Sequence, residues 1–298
     1  MTQFKGIFQQ SGILSKLLIL IGCTSFFTLA VMAAWMMFTN GVIGDNDTLK
    51  LFQLVQSIAM FILPPLILAY LWSDKPLSYL HLNKKIDPNQ AGFILLFIIL
   101  AIPFINLLTK FNGQLVLPDS FSGLEKWMKA SEVQALQLTE QMLNVHHFSG
   151  LLFNILLIAI IPALGEELFF RGAIQRIFHE WKGVKTAIWV TAFIFSAIHL
   201  QFYGFLPRLL LGAFFGYLLY WSGSLWLPIL AHFANNLIAV IFYYLKNNGY
   251  PLLDIDTIGT GNTIWMGFVS GVLVVVGIFI IKKQILIKKS RNSLNELS

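Results

Sequence analysis

Six polar residues sit in apolar surroundings at spacings that suit chemistry. Glu166 and Glu167 follow an apolar run in Gly165-Glu166-Glu167-Leu168-Phe169-Phe170-Arg171-Gly172. Adjacent carboxylates on a helix point about 100° apart. Glu167 and Arg171 are four residues apart with the acid on the N-terminal side, the better order for an ion pair. Glu167 can therefore be neutralised in place, while Glu166 faces another direction. A carboxylate taken out of water is suited to accept a proton from water near neutral pH. His199 closes Phe195-Ser196-Ala197-Ile198-His199, and His232 and Asn236, again four apart, share a helix face and can both donate hydrogen bonds. Each group has a plainer reading: the acidic pair as the end of a span, His199 as a helix end touching water, His232 and Asn236 as bonds between helices.

Spacing weighs against three separate accidents. Glu166 lies 16 or 17 residues before the Lys182-Gly183 turn, and His199 lies 16 or 17 after it. In an antiparallel hairpin, equal distances from the turn give equal depth, about 25 Å if both arms are helical. His232 follows the next turn on that side, Ser222-Gly223-Ser224, by eight residues. It reaches the same level if the first hairpin projects further. Glu166 with His199 would then hold and deprotonate a water, while His232 and Asn236 donate to the oxyanion of a tetrahedral intermediate. The alternative is a zinc ion on Glu166, His199 and His232 that activates the water. The residues leave both readings open. No His-Glu-x-x-His, Gly-x-Ser-x-Gly or Gly-x-x-x-x-Gly-Lys pattern occurs, so a soluble zinc protease, a serine hydrolase and an ATP-driven machine have no support.

The elements that must hold these residues are membrane helices. The chain is 57% hydrophobic and only 11% charged, with mean hydropathy +0.73. An ordinary soluble domain has about 25% charge, so a soluble enzyme, a disordered tail and a nucleic-acid binder are excluded. The expected fold is all-α, one integral membrane domain over residues 1–298 with about eight transmembrane helices. The apolar runs cover 17–38, 51–72, 91–108, 150–170, 186–200, 205–221, 225–245 and 263–281. The first is too long for a cleaved signal and is expected to remain as a span. Cys23 is the sole cysteine, which precludes an internal disulfide and any zinc site built on several cysteines. Residues 110–148 form a linker on the outer side. In it Ser122-Gly123-Leu124-Glu125 reads as a capping box ahead of an amphipathic helix. That helix reads as a connector on the lipid surface, or as a shaper of a substrate entrance.

With the N-terminus inside, Lys50, Lys110, Lys126, Lys129, Arg208 and Lys246 are the 6 outer cations, leaving 14 of the 20 Lys and Arg inside. Both termini are therefore expected in the cytoplasm of a multi-pass protein of the cell (inner or plasma) membrane.

The three motifs, Glu166-Glu167-x-x-x-Arg171, Phe195-x-x-x-His199 and His232-x-x-x-Asn236, resemble in that order those of the CPBP intramembrane proteases. This is the CAAX-protease, bacteriocin-processing or abortive-infection family. The flanks agree: Phe170-Arg171-Gly172, Gly212-x-x-x-Gly216 and Ser224-Leu225-Trp226-x-Pro228. The resemblance covers residues 160–237, the motif-bearing catalytic region. It implies an eight-helix fold with the site inside the bilayer. It also implies Glu166 as general base helped by His199, His232 and Asn236 at the oxyanion, and Glu167 with Arg171 as a supporting pair. Family members are described as metalloproteases or as metal-free glutamate proteases. The implied partners are a peptide or membrane-protein substrate and the lipid bilayer. Eukaryotic relatives trim prenylated CAAX tails; bacterial ones serve peptide maturation or bacteriocin immunity. The competing functions are a non-catalytic immunity or assembly partner and a proton-coupled transporter using the same ionisable groups.

The charge bias makes a direct forecast. One-sided reporters fused to either end of the chain should both report the cytoplasm. Opposite sides for the two ends would require an odd number of spans.

Overall fold

The computed structural model describes residues 4–40, 45–250 and 254–295. The extreme ends, expected in the cytoplasm, fall outside the described residues. No strand occurs among those described; the chain is an all-α polytopic membrane protein. Its long helices are α1 (Ile13–Thr39), α2 (Asn46–Trp72), α3 (Pro88–Gly113), α4 (Ser122–Leu143), α5 (residues 148–182), α6 (residues 184–197), α7 (Phe205–Ser222), α8 (Trp226–Asn247) and α9 (Ile264–Asn295).

Seven helical runs among the described residues are long and apolar enough to cross a membrane, against the eight read from the sequence. The difference lies in Phe148–Ala197, 50 residues of unbroken helical path that contain both the fourth and fifth expected spans. A straight helix of that length would measure ~75 Å, far beyond a hydrocarbon core of about 30 Å. It does not run straight. Gly183 has φ 78°, a left-handed value that only glycine adopts readily, and the chain reverses there. The rings of Phe170 and Phe195, 13 and 12 residues either side of Gly183, lie 5.1 Å apart. The hairpin register therefore matches the one the spacing predicts.

Local signals set the other boundaries. Asp87 caps α3 by accepting from the backbone N–H groups of Asn89 and Gln90, with Pro88 at the first helical position. Gly223, at φ 64°, ends α7. The capping box expected at Ser122 is not made. A tight turn at Asp119–Phe121 runs straight into α4, so Ser122 already has helical angles and caps nothing; Glu125 instead pairs with Lys129 at 2.6 Å. Along α4 only Met142 and Leu143 are buried, while Leu124, Trp127, Val133 and Leu136 are exposed. Trp127 also lies 5.3 Å from Phe202, in the turn that follows His199.

Among the described residues two large apolar cores result, with a smaller cluster of Ile188, Ala192 and Ala213 between α6 and α7. One joins α1, α2 and the α5–α6 hairpin through Leu20, Leu68, Trp72, Phe170, Ile177 and Phe195. The other joins α3, α7, α8 and α9 through Ile94, Phe97, Phe215, Leu218 and Ala231. Contacts also gather one set of loops at one end of the bundle. Lys16 bonds Glu180 at 2.5 Å, Arg176 donates to the Tyr79 carbonyl, Leu225 N–H donates to the His81 carbonyl, and Lys288 pairs with Asp87. The start of α1 and the late part of α9 thus share the end of the molecule that carries most of its basic residues.

The seam between α6 and α7 needs glycine. A methyl group at Gly212 would meet Ala192 Cβ at 3.3 Å and Phe195 Cδ1 at 3.2 Å. One at Gly216 would meet Gln175 Oε1 at 2.7 Å and Ile188 Cγ2 at 3.0 Å. Close helix approach through small residues is a common way to pack in lipid, where burial from water drives nothing. Gly212→Val should cost about 1–3 kcal/mol through overpacking. A lowered thermal midpoint of the purified protein in detergent would show it, and an unchanged midpoint would mean the seam is looser than described.

Candidate active site

The site lies at the seam between the two cores and is built around one carboxylate. Glu167 is fully buried. Its Oε1 accepts from Arg171 Nη1 at 2.8 Å and from His232 Nδ1 at 2.9 Å. The first is the ion pair anticipated by the four-residue spacing. The second is new: His232 comes from α8, 65 residues further along the chain. An unpaired charge in such a place would be strongly destabilising, so each carboxylate needs its cation held in place.

Arg171 is fixed from three sides. Its Nη2 donates to the Gly212 carbonyl at 2.9 Å, and its guanidinium lies over the rings of Phe195 and Phe215, 4.7 and 5.4 Å from their centroids. Phe215 also stacks on the His232 imidazole, with 5.4 Å between centroids and 24° between planes. One arginine therefore ties α5 to α6 and α7, and through Glu167 to α8. The segment Glu167–Ile174 is wound as a widened π-type helix closed by i→i+5 bonds. Such turns are rare and recur at functional sites.

Because Glu167 is ionised against Arg171, it can only accept, so His232 Nδ1 carries the hydrogen. That fixes the ring and turns Nε2 toward Glu166, whose Oε2 is 3.9 Å away. Glu166 is partly open, its side chain 16% exposed, whereas that of Glu167 is 0% exposed. Two adjacent carboxylates thus receive different surroundings, as the 100° offset requires.

Asn236 is placed by a proline. Pro162 has no N–H, so the carbonyl four residues before it, at Ile158, is without the i→i+4 donor of a regular helix. Asn236 Nδ2 supplies one at 3.1 Å. This holds the side chain against α5 and leaves the second N–H of the amide free to donate elsewhere. His199 lies just past the end of α6. Its Nδ1 is 2.7 Å from the Phe195 carbonyl and its ring packs edge-on to Phe195, which also touches His232.

The structure therefore draws Glu166, Glu167, Arg171 and His232 into one bonded cluster, with Asn236 one helical turn beyond His232. His199 joins it through Phe195; among the described residues no hydrogen bond or ion pair links His199 to Glu166. A zinc ion on Glu166, His199 and His232 would need all three donors at about 2.0–2.2 Å from one point. Among the described residues no three His, Cys, Asp or Glu side chains are grouped to hold a metal ion, so the set does not fit a metal as arranged.

Three participants escape sequence reasoning. Phe215 carries no polar signal. The Ile158 carbonyl is visible only through Pro162. Arg208, which enters the charge count as an outer cation, lies inside α7 and bonds Gln201 Oε1 at 2.8 Å; an arginine within an apolar run was the available clue.

Removing one partner of a buried pair costs about 3–5 kcal/mol, whereas replacing both with apolar groups is often neutral. Arg171→Ala should therefore lower the folded yield sharply, and the double variant Arg171→Met/Glu167→Leu should restore yield without restoring any activity, since His232 has lost its anchor. Quantitative immunoblots of membranes, read beside an activity assay, separate the two effects. A stable and fully active Arg171→Ala protein would contradict the arrangement.

Residues 148–238 match the family model described as type II CAAX prenyl endopeptidase Rce1-like. No curated protein and no solved structure matches the chain. The matched segment starts with α5 and ends inside α8, and it contains Glu166, Glu167, Arg171, His199, His232 and Asn236. With these motifs in order on helices that bring them together, residues 148–238 are similar to the Rce1-like CAAX prenyl endopeptidases that this model describes.

Proposed function

We propose that the chain is an intramembrane endopeptidase in which Glu166 activates a water against a peptide bond. The observation that carries this reading is the Glu167–His232–Glu166 arrangement: a buried carboxylate fixes one imidazole nitrogen and aims the other at a second, partly open carboxylate. In the proposed reaction Glu166 takes a proton from water as the oxygen adds to the scissile carbonyl. His232 Nε2, in its protonated form, and the free N–H of Asn236 donate to the oxyanion. His199, whose Nε2 is unused by its backbone contact, assists the water. Glu166 then passes its proton to the leaving amine, which balances the hydrolysis. Glu167 and Arg171 act as positioning residues.

The proposed substrate is a peptide or membrane protein whose scissile bond reaches Glu166 from the bilayer. The basic end of the bundle is proposed to face the cytoplasm. The chemistry needs only water beside the protein's own groups, so activity is expected to survive exhaustive chelation.

Comparative peptidomics of membranes carrying wild type or Glu166→Gln tests the proposal. A general base contributes about 10²–10⁴-fold. The variant should accumulate normally yet lose product by at least a hundredfold. An identical product profile at equal protein levels would overturn the reading in favour of a non-catalytic membrane partner.

A further inference from the structure

A cavity lies at the basic end of the bundle, sharing Arg171 with the catalytic cluster. Its volume is about 490 Å³. It is bounded by the α5–α6 hairpin, the end of α7 and the loop between α2 and α3. The proposed protease chemistry uses nothing in it except Arg171, which closes its floor.

The wall is cationic beyond what its own acid can neutralise. Arg171 is consumed by Glu167. Glu180, the acid at the rim, is held by Lys16 at 2.5 Å and lies 3.8 Å from Arg176. That leaves Lys84 without an ion pair among the described residues, Arg176 with only the longer contact, and the imidazoles of His81 and His179 beside them. Donors are also left over. The Nε atoms of Arg171 and Arg176 are buried without a hydrogen-bond partner, and the Arg171 residue is 1% exposed. Buried guanidinium donors without acceptors are costly and call for a ligand that accepts. The field is visible in His81, in the loop outside the spans. Burial first, then Arg176, Lys84 and His179, hold its imidazole below the ordinary histidine range.

The cavity has an apolar side too, formed by Val184, Ala187, Leu219 and Tyr220. Tyr220 and Trp181 are exposed close by, as aromatic side chains are at the level of lipid headgroups. A space of this size exceeds a bare phosphate and suits a phosphate with a short organic body. We propose that this cavity binds a phosphate ester, with a lipid headgroup as the source its surroundings favour over a soluble phosphate. Basic pockets between membrane helices commonly serve anionic headgroups in this way.

The test is native mass spectrometry of the purified full chain with three probes: dioctanoyl phosphatidylglycerol, dioctanoyl phosphatidylcholine and inorganic phosphate. The wild type should retain one phosphatidylglycerol in preference to phosphatidylcholine. Each cation removed, in Lys84→Gln and in Arg176→Gln, should weaken it about fivefold. Arg176 also packs on Tyr79, with its guanidinium 3.8 Å from the ring. Lys84→Gln with His179→Gln, both at exposed side chains, therefore keeps the test open if Arg176→Gln folds poorly. Displacement of the lipid by inorganic phosphate would assign the site to soluble phosphate, and no displacement to the headgroup. Phosphatidylcholine retained as well as phosphatidylglycerol, or variants that bind like wild type, would overturn the proposal.

Discussion

The buried charge on Glu167 is the constraint from which most of the molecule follows. A carboxylate with no access to water survives only if its partners are fixed; Glu167 Oε2 is buried without a hydrogen bond, so the contacts to the other oxygen carry the whole charge. Here two cationic or donating groups converge on a single oxygen, Oε1, from two helices. Arg171 then needs acceptors of its own, and it takes the Gly212 carbonyl. That carbonyl is reachable because glycine lets α7 approach α6 closely. Phe195 and Phe215 close over the guanidinium and exclude water from it. The ion pair is thus less a source of net stability than a specification of which helices must meet, and in what register.

The same geometry separates two neighbouring acids. Glu167 is fully enclosed and permanently paired, so its role is to hold His232. Glu166, one residue earlier, points toward a partly open space and the far nitrogen of that histidine. Acid–base sites often work by giving two titratable groups unlike surroundings. Helical geometry supplies the separation here at no extra cost, since adjacent side chains diverge by about 100°. The departures from regular helix lie in the same region. The widened turns at Ile155–Ile160 and Glu167–Ile174 flank the acidic pair, and Pro162 between them withholds the i→i+4 donor from the carbonyl that Asn236 bonds.

Much of this was legible in the sequence. The membrane class followed from charge content, the Glu167–Arg171 pair from spacing, and the hairpin register from counting outward from Gly183. Phe170 against Phe195 realises that register. Other features lie beyond the reach of periodicity. Hydropathy separates two spans at a turn but cannot show that helix runs continuously up to a single glycine, which is why Phe148–Ala197 forms one run. The capping box at Ser122 failed because an upstream tight turn, set by the backbone, already occupies the capping geometry. The bond from Glu167 to His232 spans 65 residues between helices. It depends on the rotation of each helix about its axis, which packing fixes and composition does not. The role of Phe215 is hidden for the same reason: in a chain with 27 phenylalanines, nothing local marks the one that stacks on a histidine.

The central claim is that Glu167 holds His232 through Nδ1 and thereby presents Nε2 to Glu166. Nitrogen-15 NMR of the histidine-labelled protein in lipid, with His232 assigned by its absence in a His232→Gln sample, reads this directly. The account predicts a protonated, hydrogen-bonded Nδ1 on His232, and loss of that signature in Glu167→Ala. An Nδ1 without a proton in the wild type, with the hydrogen on Nε2 alone, would contradict it.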